Sequence, residues 1–312
     1  MQVLVSGSHG LLGSALLPSL ANANHRVIRL VRSRPSPSGS EVLWDPETQA
    51  IDEAGLKGVE AVIHLAGESI ASGRWTASRR RRIQDSRVNS TRLLCRALSR
   101  MSRPPKVLVC ASAVGFYGDR GNETLTESSP AGQGFLPVVC QRWEASAEPA
   151  VEHGIRVVWL RFGIILSTAG GALARLLPVF RLGLGGRLGS GNQYMSWISI
   201  YDAVGIVRTV LEQPLAGPLN AVSPNPVTNR EFTATLAGVL RRPAFLPVPA
   251  TVLRLALGEM ADALLLSSAR AVPQRLAQAG FEFQDADLVS ALRVLVSGGQ
   301  RKMKEKVHAP LA

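Results

Sequence analysis

The stretch 1–17, MQVLVSGSHGLLGSALL, decides how the rest of the chain is read. Val3, Leu4 and Val5 form a short apolar run without helical period, the pattern of a buried strand. Glycines follow at Gly7, Gly10 and Gly13, and Leu11, Leu12, Ala15 and Leu16 then recur at helical spacing. Strand, glycine loop and helix start, in that order, bring backbone N–H groups at a positive helix end to a phosphate. Gly7 turns the chain out of the strand, Gly10 lets backbone approach a pyrophosphate, and Gly13 lets the helix pack closely. The stretch predicts a dinucleotide site, with Leu11 and Leu12 at the helix start as further contacts. Glycine turns end many strands that bind nothing; here the flanking strand and helix carry the reading.

Composition narrows the function classes. The 312 residues are 46% hydrophobic, enough for a large core in one domain or one with a small annex. No run approaches the roughly 18 uninterrupted apolar residues of a membrane span. The N-terminus opens on a strand with no basic region, so no signal peptide is expected. Cys95, Cys110 and Cys140 are widely separated, lack metal-ligand spacing and suit a reducing compartment. A cytoplasmic protein without a metal site is the expectation.

The net charge of +12 raises nucleic-acid binding as a possibility. Its two clusters are 79–82 (RRRR) and 301–306 (RKMKEK). Neither is interleaved with aromatics, which are only 5% of the chain. They read as a solvated helix face and a tail, and nucleic acid is not an expected partner.

Outward from the first helix, 25–31 (HRVIRLV) reads as the second strand. NAD-preferring folds place an acidic residue at this strand's end to bind the adenosine ribose hydroxyl. Here Val31 and Arg32 stand there, and a guanidinium without a competing carboxylate suits a 2′-phosphate. The cofactor expected is therefore NADP(H). The competing reading is a surface arginine beside the Ser/Pro-rich loop 34–40. Strands at 42–44 and 61–65 follow, and Leu65 and Ala66 are expected to pass under the cofactor. His64, inside an apolar strand, reads as a core histidine with its hydrogen bonds met.

A helix over 75–100, a strand over 106–112, a helix over 136–153 and a strand over 156–160 continue the alternation. This predicts an α/β fold, a Rossmann-type doubly wound parallel sheet. Beyond it, helices are expected at 172–182, 202–212, 250–257, 261–271 and 286–296, and strands at 196–200 and 219–222. Thr228 and Glu231 have the capping-box spacing, opening a helix through Leu240. The expected division is an NADP-binding core (1–165), a smaller, mainly helical part completing the sheet and covering a substrate cleft (166–298), and a basic disordered tail (299–312).

Several longer stretches carry a resemblance: VSGSHGLLG (5–13), HLAGESI (64–70), SRVNSTRLL (86–94), ASAVGFYGD (111–119), GLGGRLGSGNQYMSWISIYD (183–202) and VPATVLRLALGEM (248–260). In this order they resemble the extended short-chain dehydrogenase/reductase superfamily. The chain is most similar to its atypical epimerase-family branch, which has a dedicated C-terminal domain. The resemblance implies an NADP-type cofactor and an oxidoreductase or epimerase activity on an undefined small-molecule substrate. It also implies cofactor contacts at Arg87 and Ile165, and by analogy a homodimer.

The chain departs from that superfamily at its chemistry. The established enzymes carry Tyr-x-x-x-Lys on the helix after the fifth strand, the lysine lowering the tyrosine pKa for proton exchange. Here that helix reads Val139-Cys140-Gln141-Arg142-Trp143-Glu144. One register puts Cys140 and Glu144 at the two positions, the other Val139 and Trp143. Arg87 stands where the superfamily has asparagine, and would bind cofactor phosphate or an anionic substrate. Ser112 matches the superfamily's serine if one extra residue is allowed before Tyr117; otherwise the position is Ala113. The catalytic candidates are Ser112, Tyr117 and Glu144. Three classes stay open: a rewired NADP(H)-dependent reductase or epimerase, a non-catalytic NADP(H)-binding regulator acting through a protein partner, and a nucleic-acid binder resting on charge alone.

Overall fold

The structure is a computed structural model that describes residues 1–33 and 39–298. The loop residues 34–38 and the tail 299–312 lie outside the described residues. β1 (Gln2–Ser6) runs into α1 (Leu11–Asn22), followed by β2 (Arg26–Val31), β3 (Glu41–Asp45), β4 (Ala50–Ile51) and β5 (Ala61–His64). Next come α2 (Ala77–Ser99), β6 (Val107–Ala113), β7 (Thr124–Leu125), α3 (Phe135–Ala145), α4 (Glu148–Glu152) and β8 (Arg156–Phe162). The second half begins with β9 (Ile164–Leu166), α5 (Gly171–Arg181), β10 (Tyr194–Met195), β11 (Trp197–Ser199) and α6 (Ile200–Glu212). It continues with β12 (Gly217–Ala221), β13 (Val227–Thr228), α7 (Asn229–Leu240), α8 (Ala250–Leu257) and β14 (Arg270–Ala271).

Eight strands form one sheet in the order β12-β8-β6-β5-β1-β2-β3-β4, parallel except at the β3–β4 edge. Val3, Leu4 and Val5 are fully buried, as a strand covered by helices on both faces requires. One layer packs α1, α5, α6 and α7 against the sheet, and the other packs α2 and α4. The chain leaves β1 toward β2 on one side and returns to β5 on the other. In open parallel sheets, ligands usually bind outside the carboxyl ends of the strands at such a reversal.

Two expectations need correction. The helix expected over 136–153 is two helices, α3 and α4, broken at Ser146 and Ala147. Pro149, at the start of α4, has no N–H to give an unbroken helix, so the chain caps and restarts. The helix expected over 261–271 ends in a π turn, Asp262–Leu266, and then becomes β14, paired with β7. Ser268 accounts for the switch: its N–H donates to Asp119 Oδ1 at 3.1 Å and its hydroxyl to the Gly121 carbonyl at 2.5 Å. These distant partners outweigh local helical preference and tie the C-terminal part to the loop after Tyr117.

Candidate functional site

The glycine loop leaves β1 with Gly7 at φ +69°. A Cβ there would sit 2.7 Å from the Leu65 carbonyl carbon and 2.8 Å from Ala66 N. Gly13 is tighter still, since a Cβ would overlap the Gly7 carbonyl oxygen; the helix packs on its own loop rather than on the sheet. Gly10 caps α1 without a side chain, leaving the first-turn N–H groups open to a ligand. Leu11 packs against Gly170 and Gly171, and Gly171 adjoins the Ile165 carbonyl. Gly7, Gly10, Gly13, Leu11, Leu65, Ala66 and Ile165 thus gather at one end of the sheet. Val31 ends β2, buried, three strands from β6, and Arg32 follows it, exposed.

His64 locks this end from below. Its Nδ1 lies 2.6 Å from Ser6 Oγ and its Nε2 3.0 Å from Thr91 Oγ1. Thr91 and Ser90 give their own protons to the Arg87 and Ser86 carbonyls, so Nε2–H is the donor and Nδ1 accepts from Ser6. Ser6 Oγ in turn accepts from Ala66 N at 3.3 Å. Burial pulls the His64 pKa down to about 4, so the ring is neutral and structural at ordinary pH.

Arg87 reaches from α2 along Gly67, where a Cβ would sit 3.4 Å from its guanidinium carbon. Its guanidinium carbon lies 5.0 Å from the centroid of the Trp143 ring, and Nη1 donates to the Ile83 carbonyl at 2.9 Å. No carboxylate stands within ion-pair distance of it among the described residues. Burial lowers its pKa. A desolvated guanidinium without a counter-charge is suited to an anion.

At the end of β6, Ser112 donates to Glu144 Oε1 at 2.6 Å. Arg161, from β8, grips the same carboxylate with two hydrogen bonds, Nε to Oε1 at 2.9 Å and Nη2 to Oε2 at 2.8 Å. Arg161 is 4% exposed, and its guanidinium carbon lies 3.5 Å over the Phe116 ring. Burial opposes its charge, yet the Glu144 hydrogen bonds and charge outweigh this and raise its pKa. Its Nη1 donates to Tyr117 Oη at 3.1 Å, and that hydroxyl donates to Asn220 Oδ1 at 2.7 Å. Tyr117 is fully buried, and burial pushes its pKa up. Cys140, at the tyrosine position in one register, faces the Ala113 carbonyl; burial and then the Glu144 charge push its thiol up to about 12.

Ser112 and Glu144 therefore meet directly, and Tyr117 joins them only through Arg161. Val31 and Arg32 stand apart from this cluster. Arg161, Asn220 and Glu127, whose Oε1 accepts from Asn220 N at 3.0 Å, are not among the residues the sequence singles out. Arg161 did leave a signal. A charged residue inside the apolar strand RVVWLRF needs a buried partner. Among the described residues no cluster of His, Cys, Asp or Glu could hold a metal, and no helix is long and apolar enough to cross a membrane.

Residues 3–222 match the NAD dependent epimerase/dehydratase family, and residues 248–295 match a domain of unknown function, DUF1731. An epimerase family protein of Mycobacterium bovis is 43% identical over 93% of this chain and 96% of its own length. The epimerase family protein YfhF of Bacillus subtilis is 36% identical over 95% and 98%. Human epimerase family protein SDR39U1, whose crystal structure is with NADPH, superimposes with a TM-score of 0.88 at 34% identity. That match covers 95% of this chain and 99% of the human one. The dinucleotide-type loop, the parallel sheet and these full-length similarities agree: the chain belongs to the NAD dependent epimerase/dehydratase family, among its epimerase family proteins.

Proposed function

We propose that this chain binds NADP(H) at the carboxyl ends of its strands and uses it in a reductase- or epimerase-type reaction on a small molecule. In this reading Ser112 and Glu144 stand in for the tyrosine–lysine pair. The chain has three tyrosines, Tyr117, Tyr194 and Tyr201, and none has lysine four residues on. The observation that carries the proposal is the 2.6 Å Ser112–Glu144 hydrogen bond, at the strand end two strands from the glycine loop.

The cradle fits such a cofactor. Gly7 and Gly13 leave no room for a side chain in the loop, and the N–H groups of Leu11 and Leu12 serve the pyrophosphate, that of Gly10 being given to the Gly7 carbonyl at 3.0 Å. Arg32, exposed and without an acidic neighbour in sequence, suits the 2′-phosphate. Val31 backs the adenosine end, Leu65 and Ala66 line the path toward Ser112, Ile165 borders it, and Arg87 neutralises a phosphate or an anionic substrate. The human relative with NADPH supports the same nucleotide here. When bound, the nicotinamide supplies or accepts a hydride.

The chain's own groups hold and move the proton. Ser112 Oγ orients the substrate oxygen. When that oxygen is oxidised to a carbonyl its proton passes to Ser112 Oγ as the serine proton passes to Glu144 Oε1; reduction reverses both transfers. Arg161 holds Glu144 aimed at Ser112, and Tyr117, itself held by Asn220, fixes Arg161. Tyr117 is thus a positioning residue.

The test uses NADPH deuterated at the transferable position, offered with a panel of aldehydes and ketones. Label transfer falling about 100-fold or more in Ser112→Ala and Glu144→Gln, with NADPH affinity unchanged, supports the reading. Undiminished transfer in Ser112→Ala overturns the relay. Tight NADPH binding without transfer to any carbonyl overturns the catalytic reading and favours a regulator.

A further inference from the structure

Away from the cleft, the chain 183–189 runs beside 244–248. Leu246 N donates to the Gly185 carbonyl at 3.3 Å and Val248 N to the Arg187 carbonyl at 2.9 Å. Gly186 permits the approach, since a Cβ there would overlap the Leu246 carbonyl oxygen. Large apolar side chains stand in water along and just before these segments: Leu182 is 74% exposed, Leu184 55% and Phe245 72%. Val179 and Leu246 are each 43% exposed. Isolated exposed leucines need no explanation, but five exposed large apolar side chains fall within 179–184 and 245–246, stretches that the pairing brings together.

The charge around the patch has one sign. Neither 164–201 nor 232–258 contains an Asp or Glu. Arg181, Arg187, Arg241 and Arg242 are exposed there, and none has a carboxylate within ion-pair distance among the described residues. Beside Phe245 opens a hollow of about 230 Å³ whose lining includes Arg187, Arg230 and Thr233. Arg187 and Arg230 both donate to the Ser190 carbonyl at 3.3 Å, so their guanidiniums converge. Glu231, the acidic residue next in sequence, is engaged in capping Thr228.

We infer that this face docks on an anionic phospholipid bilayer. The leucines and Phe245 enter the boundary between headgroups and acyl chains, and a lipid phosphate sits between Arg187 and Arg230. Insertion of apolar side chains and attraction of arginines to anionic headgroups reinforce each other at such a surface. A second copy of the chain fits less well, because its identical face brings four arginines against four. The inference is independent of the reaction proposed above.

Sedimentation of the full chain with vesicles tests it. Binding is expected to vesicles of equal parts phosphatidylglycerol and phosphatidylcholine and not to phosphatidylcholine alone. Arg241→Gln with Arg242→Gln lowers the partition about tenfold or more. Leu184→Ser with Phe245→Ser lowers it on the same vesicles, with NADPH affinity and melting temperature unchanged. Replacing Lys302, Lys304 and Lys306 with glutamine leaves it intact. No binding to anionic vesicles, equal binding by the face variants, or loss only with the tail variant overturns the inference. So does a concentration-dependent dimer that Phe245→Ser abolishes, which would make the face a contact between copies.

Discussion

Arg161 holds Glu144 through two hydrogen bonds, at 2.9 and 2.8 Å, while Ser112 donates to the same carboxylate at 2.6 Å. The three residues come from β8, α3 and β6, so a single carboxylate binds two strands to a helix. Removing one partner of such a pair costs more than the pair itself contributes, because a charge is left buried and unmatched. Arg161→Gln is therefore expected to destabilise the fold by about 3–5 kcal/mol in urea unfolding. A loss below about 1 kcal/mol, the range of exposed pairs, would mean that solvent already screens Glu144.

Gly13 has no room for a side chain. Gly13→Ala forces the added methyl into the Gly7 carbonyl and displaces the loop. NADPH affinity is expected to fall about 100-fold or more, since loop backbone carries the pyrophosphate. Gly154→Ala is the control: its φ of +76° strains an alanine, yet nothing lies within 4 Å of the added atom. It should lower stability by about 1–2 kcal/mol and leave NADPH affinity alone. Equal effects of the two on affinity would remove the loop from the site.

His64 makes stability depend on pH in a defined window. The unfolded imidazole titrates near 6.5 and the folded one near 4, depressed by burial. Between these values the unfolded chain takes up the extra proton, so stability falls as pH drops from about 6.5 to 4, by about 3 kcal/mol in all. His64→Gln should flatten that slope in unfolding curves recorded across the window. A slope identical to the parent's would assign it to other groups.

Much of the fold is legible in the sequence because the buried strands are short, mostly apolar runs: Val3–Val5, Ile28 with Leu30 and Val31, 61–63 and 107–110 lie in the sheet core. The glycine loop is legible for a different reason, since Gly7 and Gly13 leave no room for a side chain. What escapes is what distant partners decide. Nothing near Ser268 announces that Asp119 and Gly121 will draw the chain out of the helix and into β14. Arg161 pairs with a residue 17 positions away, across a helix–strand connection, so no local period marks the contact. Ser112 and Glu144 are visible as candidates, but the arginine that joins them to Tyr117 is seen only once β6 and β8 lie side by side.

The most direct measurement is a calorimetric titration of the full chain with NADPH and NADH, beside Arg32→Ala. The account predicts tighter binding of NADPH than of NADH. It also predicts that Arg32→Ala weakens NADPH by about tenfold or more while leaving NADH unchanged, because a charge-assisted hydrogen bond to the 2′-phosphate is lost. Absence of binding by either nucleotide would contradict it, reducing the glycine loop to a turn that packs α1 against β1 and withdrawing the cofactor on which the Ser112–Glu144 relay depends.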